Sequence, residues 1–171
     1  VAASGNERAV EHLQRAYVQV DGVRRRVLLQ ALGGLKREAL KDWYFSLSLS
    51  EPYLGLRRAA ADALVPILGR AGTARLFLEF LNRPPGAQGS AGRQRALQLL
   101  AHVGGKDSAG KLRELLLDSD PNVIIEACDA LAVMHDDSAA ALLLRILEGR
   151  HPETGPAARE ALDRQRRGAL P

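Results

Sequence analysis

Apolar residues recur along this chain at helical spacing, and short polar or glycine-rich breaks separate the runs. The clearest case is DPNVIIEACDALAVMHDDSAAALLLRIL, from Asp120 to Leu147. Ala127, Ala130, Leu131 and Met134 follow the i, i+3, i+4, i+7 rule and so share one helix face. After a polar turn, Leu143, Ile146 and Leu147 build a second face. Asp120 ahead of Pro121 predicts a helix start, because Asp accepts from the free amides of a first turn and Pro lacks an amide to satisfy there. Asp137 and Ser138 predict a second capped start. A lone hairpin of this kind cannot bury both faces, so it is expected to stack on copies of itself.

The copies are present. The Ala130-Leu131 pair recurs as Ala31-Leu32, Ala63-Leu64, Leu99-Leu100 and Ala161-Leu162, at nearly even intervals with one longer step before Leu100. The same face is rebuilt around the first three pairs: Leu28, Ala31, Leu32, Leu35; Ala60, Ala63, Leu64, Ile67; and Ala96, Leu99, Leu100, Val103. A short, regular period with two helices in each unit predicts a helical solenoid.

The expected organisation is one repeat domain over 1–171. It holds a partial repeat at 6–20, repeats at about 22–50, 51–83, 92–118 and 120–149, and a terminal helix at 155–167. The N-terminal piece carries Val10, Leu13 and Tyr17 and reads as a second helix that lacks its first. In the first full repeat, a helix from Val23 to Leu32 ends at Gly33-Gly34. A second begins near Leu35 and carries Leu40, Trp43, Tyr44 and Leu47. The alternation at Ser46–Ser50 is expected to be a helix end rather than a strand. In the next repeat Pro66 should end or kink the helix Leu56–Leu68, with a turn over Gly69–Gly72. The stretch 84–92, rich in Pro and Gly, reads as a rim loop inserted into one repeat and accounts for the longer step before Leu100. At the C-terminal end Gln165 stands where Met134 stood one repeat earlier, and with Arg164, Arg166 and Arg167 it predicts a polar cap or a cut array.

Composition agrees with closely packed helices: aromatics are only 4% against 46% apolar residues, so Ala, Leu, Val and Ile must fill the core. The net charge of +4 is mild and unevenly spread. Residues 1–99 hold 15 Lys/Arg against 8 Asp/Glu, residues 100–150 hold 5 against 9, and the remainder returns to +1. Cys128 is the only cysteine, which rules out an internal disulfide and predicts a buried structural thiol. No apolar run reaches the ~20 residues needed to span a membrane. There is no signal-peptide pattern, and the expected compartment is the cytoplasm. Val1 in place of Met predicts a processed form or a piece of a longer protein.

DPNVIIEACDALAVMHDDSAAALLLRIL and LRRAAADALVPIL together resemble the HEAT repeat, in particular the short bacterial type named after the phycobilisome lyases. Asp120-Pro121, Leu56-Arg57, Ala59-Ala60-Ala61, Ala63-Leu64 and Ala130-Leu131 carry the resemblance. It implies an all-α fold, a right-handed α-α superhelical solenoid of HEAT-like helical hairpins. It also implies a binding scaffold rather than a particular reaction.

Candidate chemistry is sparse. His12, His102, His135 and His151 are dispersed and lack metal spacing, and neither a phosphate loop nor a Gly-x-Ser-x-Gly elbow occurs. No cofactor and no enzymatic activity are expected. Arg25, Arg57 and Arg93 occupy equivalent positions in three repeats, and the row stops at Ile124; the adjacent row of Arg26, Arg58 and Gln94 becomes Ile125. An isoleucine in that place is a candidate contact point. Trp43, Tyr44 and Tyr53 fall close to Lys36, Arg37, Lys41, Arg57 and Arg58. The expected partner is therefore a protein, bound on the second-helix face and one loop rim through Trp43, Tyr44, Tyr53, Arg25, Arg57, Arg93 and Ile125. Nucleic-acid binding on a basic N-terminal face, as in HEAT-like DNA glycosylases, and a bilin lyase-like role are the alternatives.

Overall fold

The computed structural model describes residues 2–83, 89–134, 136–149 and 152–168, and these form helices joined by turns, with no strand among them. The helices are α1 (Ala2–Gln19), α2 (Gly22–Gly33), α3 (Lys41–Ser50), α4 (Leu54–Leu81), α5 (Gly89–Val103), α6 (Ala109–Leu115), α7 (Pro121–Val133), α8 (Ala140–Leu147) and α9 (Gly155–Gly168). Short 3₁₀ turns precede α3, α6, α8 and α9. The chain forms two compact units, residues 1–73 and 74–171.

In the second unit the stacking expected of a helical solenoid is plain. The first helices α5, α7 and α9 pack in sequence, with α7 between the other two, while α6 lies against α7 and α8 against α9. The Ala-Leu positions make that core: Ala96, Leu99, Leu100, Ala127, Leu131, Ala158 and Ala161 are all fully buried. Cys128 joins them, and burial pushes its thiol up to about 12, which leaves it an inert packing residue. Asp120 caps α7 through the Asn122 amide at 3.0 Å, with Pro121 at the first helical position. The second expected cap differs. A 3₁₀ turn over Asp137–Ala139 leads into α8, whose capping residue is Ala139 and makes no side-chain cap bond.

In the first unit α2 is capped by Asp21 through the Arg24 amide at 2.9 Å. Its end packs closely on α4, where a Cβ on Gly33 would lie 3.0 Å from both the Cα and the Cβ of Ala63. The second helix of this repeat starts later than its apolar pattern predicts. Residues 34–36 turn, a 3₁₀ turn covers Glu38–Leu40, and Leu35 is 57% exposed. The alternating Ser46–Ser50 segment is helical, as expected. In α4 the predicted turn over Gly69–Gly72 contracts to a single position: Gly69, at φ 72° and ψ 165°, breaks the helix while its neighbours stay helical. Only glycine adopts that backbone without strain. Pro66 does not end the helix, which runs on through Leu68. Of the 84–92 loop, residues 84–88 lie outside the described residues, and α5 already begins at Gly89.

Gly33→Val should therefore overpack the α2–α4 crossing and lower stability by about 2 kcal/mol. Gly55→Ala, in the same α4 but with open space around its added methyl, should be neutral or slightly stabilising. Urea unfolding of the two variants separates the outcomes.

Candidate functional site

The arginine row is a set of joints rather than a free basic face. In the first unit Glu51 is 5% exposed and sits at the end of α3. It accepts the Tyr17 hydroxyl at 2.8 Å and one Arg25 amino group at 3.5 Å. Arg25 also donates its Nε to the carbonyls of Tyr17 and Val20 at 3.1 and 3.0 Å and its Nη2 to Val18 at 3.2 Å, so it terminates α1. Its guanidinium lies 5.1 Å over the Tyr17 ring. Burial, then the bond to Glu51, pushes the Tyr17 hydroxyl far above its ordinary value of 10.0. Arg57 is buried too, and its Nη1 donates to the carbonyls of Glu51 and Pro52 at 3.0 and 2.8 Å.

The same joint recurs in the second unit. Arg93 pairs with Asp118 at 2.6 Å, both side chains nearly buried. Burial alone would push the Asp118 carboxyl up, but the Asp120 amide, the Arg93 guanidinium and the Ser119 amide outweigh it and hold it below its ordinary 3.8. Glu51 and Asp118 share a register: they stand equally far ahead of the leucine of the next Ala-Leu pair, Leu64 for one and Leu131 for the other. A guanidinium thus meets a carboxylate from the opening of the following repeat.

In the fourth repeat this clamp is missing from both sides. The arginine position holds Ile124, and the carboxylate position, in the same register ahead of Leu162, holds Gly149. Both residues line a groove of about 440 Å³ together with Leu116, Leu117, Leu142, Ile146, Asp118 and Arg145. Ile124 is 4% exposed at its base, and Leu117 is 70% exposed. Asp118 is neutralised by Arg93, whereas Arg145 is exposed and has no partner among the described residues. Among the described residues the groove is therefore apolar with one unmatched positive charge. Sequence reasoning saw the row stop at Ile124 but did not find the groove, because Gly149 becomes informative only once Glu51 and Asp118 are known to meet the arginines.

A different contact secures the joint to α9. Gln165 is 5% exposed and donates its amide to the Asp136 carbonyl at 2.7 Å, so it is an internal bond and not part of a polar cap. Asp136, just ahead of the expected cap at Asp137 and Ser138, accepts from Arg113 at 2.6 Å and from Ser138. Burial raises its carboxyl, but the Ser138 and Arg113 bonds prevail and lower it.

The remaining sequence candidates scatter. Tyr44 is fully buried, and Trp43 is half-buried, edge-on to Tyr17 at 5.3 Å and tilted against Tyr44 at 5.4 Å. Tyr44 is therefore packing, as is the part of Trp43 that meets the two tyrosines. Tyr53 is 68% exposed and Ile125 is half-buried. No group of three His, Cys, Asp or Glu side chains converges on a metal position among the described residues, and no helix among them is long and apolar enough to cross a membrane.

Tyr44→Ala should cost about 3–5 kcal/mol through its cavity, while Tyr53→Ala stays within about 0.5 kcal/mol; thermal unfolding distinguishes them. Arg93→Ala should cost about 3 kcal/mol, because it strands Asp118 without its cation. The folded-state Asp118 carboxyl is lowered, so its stabilising contribution is complete above 3.8 and fades as pH falls through the lower folded value. The stability gap between wild type and Asp118→Asn, measured by urea unfolding, should accordingly close as the solution is acidified.

Residues 87–163 match the family model described as HEAT repeats, a segment that takes in the third and fourth repeats and most of α9. No curated protein matches the chain at a significant level. HEAT repeats generally mediate protein–protein interaction or scaffolding and are typically non-catalytic. In sequence as in stacking, the segment that carries the groove is similar to HEAT repeats.

Proposed function

We propose that the chain is a non-catalytic protein-binding or scaffolding module that works as part of a larger protein or complex. The observation that carries this reading is the groove left where the Ile124/Gly149 joint has no clamp. Its apolar walls suit one aliphatic or aromatic side chain of a partner, and Arg145 suits a carboxylate beside it. Ile125 and Tyr53, and the exposed part of Trp43, are further contact residues in this proposal. The nucleic-acid reading draws less support, since Arg25, Arg57 and Arg93 are spent on carbonyls and carboxylates inside the fold.

A peptide-display selection against the purified protein tests the proposal. Enriched peptides should pair a bulky apolar residue with Asp or Glu, and Leu142→Arg should weaken them by about tenfold or more. Arg145→Glu should shift the selected charge from acidic to basic. Binders indifferent to both substitutions, in variants with unchanged helical circular dichroism, would refute it.

A further inference from the structure

The first helices of the second unit repeat in register, so their outward faces can be compared position by position. Two residues before the leucine of each pair stand Gln98 on α5, Asp129 on α7 and Glu160 on α9, none of them buried. One helical turn earlier are Gln94, Ile125 and Pro156, and one turn later His102, Val133 and Arg164, again none buried. Residues four apart share a face, so each set forms a stripe along its helix. On α5 the stripe is polar throughout, and on α9 it runs from a proline in the first turn to the Glu160–Arg164 ion pair at 2.5 Å. On α7 it differs. Aliphatic side chains stand at both ends, and Val133 is 57% exposed.

This stripe does not lie at an end of the stack. The helices α5 and α9 pack on α7 from the two sides and α6 lies against it, so its neighbours along the array are in place and the stripe still faces outward. Between the two aliphatic residues is a charge without a mate. Asp129 makes no hydrogen bond and closes no ion pair among the described residues. Burial pushes its carboxyl above the ordinary 3.8; Arg164 opposes this and Glu160 adds to it. The Arg164 guanidinium is itself engaged by Glu160.

Charge selects among possible occupants. Nucleic acid or an anionic membrane would set phosphate against Asp129, which is repulsive. A second copy related by a two-fold axis through the stripe would lay it on itself. Asp129 is the central residue of the three, so carboxylate would face carboxylate. A cation flanked by apolar groups fits all three positions at once.

We propose that the Ile125–Asp129–Val133 stripe docks a basic amphipathic helix from a protein partner, carrying one Lys or Arg between two aliphatic residues. A helix laid along α7 has the same rise per residue, so its own positions four apart meet the three side chains over about 12 Å. This inference rests on the reading of the chain as a protein-binding module but not on the groove, whose residues it does not use.

The test uses two fluorescein-labelled synthetic helices of about 15 residues, the length at which a peptide helix begins to hold. Both carry two leucines eight residues apart; midway between them one has Lys and the other Glu. Fluorescence anisotropy should show the Lys peptide binding at least about tenfold more tightly at low salt, with the gap narrowing as salt screens the charges. Asp129→Asn should remove most of that preference, and Val133→Lys should weaken the Lys peptide by about tenfold or more, both with unchanged helical circular dichroism. Leu142→Arg, which blocks the groove, should leave its affinity unchanged. Absence of binding, or a preference for Lys that survives Asp129→Asn, would overturn the proposal. Loss of binding in Leu142→Arg would overturn it by placing the peptide in the groove. A wild-type dimer in ultracentrifugation that Val133→Lys dissolves would overturn it in favour of a second copy.

Discussion

Each first helix in this chain has more apolar surface than its own hairpin partner can cover, and that constraint governs everything else. In the second unit the surplus is buried by stacking on neighbouring first helices, as α7 does between α5 and α9, and on the second helix of the preceding repeat, as α7 does on α6 and α9 on α8. Small residues make the stacking close. Ala63 beside Gly33, and the fully buried Ala127, Ala158 and Ala161, allow helix backbones to approach where larger side chains would hold them apart. The same demand makes any interruption of the stack chemically distinctive, since an uncovered stacking face is apolar in a way that ordinary surface is not.

Apolar stacking is non-directional, and the polar joints give it direction. Glu51 gathers Tyr17 from α1, Arg25 from α2 and, through its carbonyl, Arg57 from α4. Arg93–Asp118 and Arg113–Asp136 do equivalent work in the second unit. Buried pairs of this kind contribute little net stability over apolar substitutes of the same shape, yet losing one partner is expensive. Their effect is therefore to fix which residues meet at a joint. Where α9 joins, a neutral amide bond from Gln165 to the Asp136 carbonyl takes over. At the opening of the terminal repeat no charge pair then has to be accommodated, and Ile124 and Gly149 leave the space that becomes the groove.

The repeat and its buried faces were legible in the sequence because they are local: helical periodicity and the recurring Ala-Leu pair need no knowledge of the third dimension. The joints were not. Arg25, Arg57 and Arg93 form a row in the sequence whether their guanidinium groups face water or carbonyls, and in the two clamped cases the carboxylate partner lies most of a repeat further along the chain. Tyr44 and Tyr53 look alike as aromatic neighbours of basic residues, but one lies inside a helix hairpin and the other on a turn. The first repeat misled for a further reason. Its face of Leu28, Ala31, Leu32 and Leu35 matches the others, yet Ala31 and Leu35 are exposed, and Leu35 lies in the turn beyond α2 rather than on the helix.

At the groove, net charge would point the search for a partner the wrong way. The stretch 100–150, which contains most of the groove, carries an excess of carboxylates. Yet Asp118 and Asp136 are matched internally, and the charge left unmatched at the groove is Arg145. In the reading proposed above, the groove thus favours a carboxylate-bearing partner, although it belongs to the acidic part of the chain. In that reading, recognition is set where the arginine–carboxylate row is interrupted, by individual side chains, and not by the long-range potential of either half.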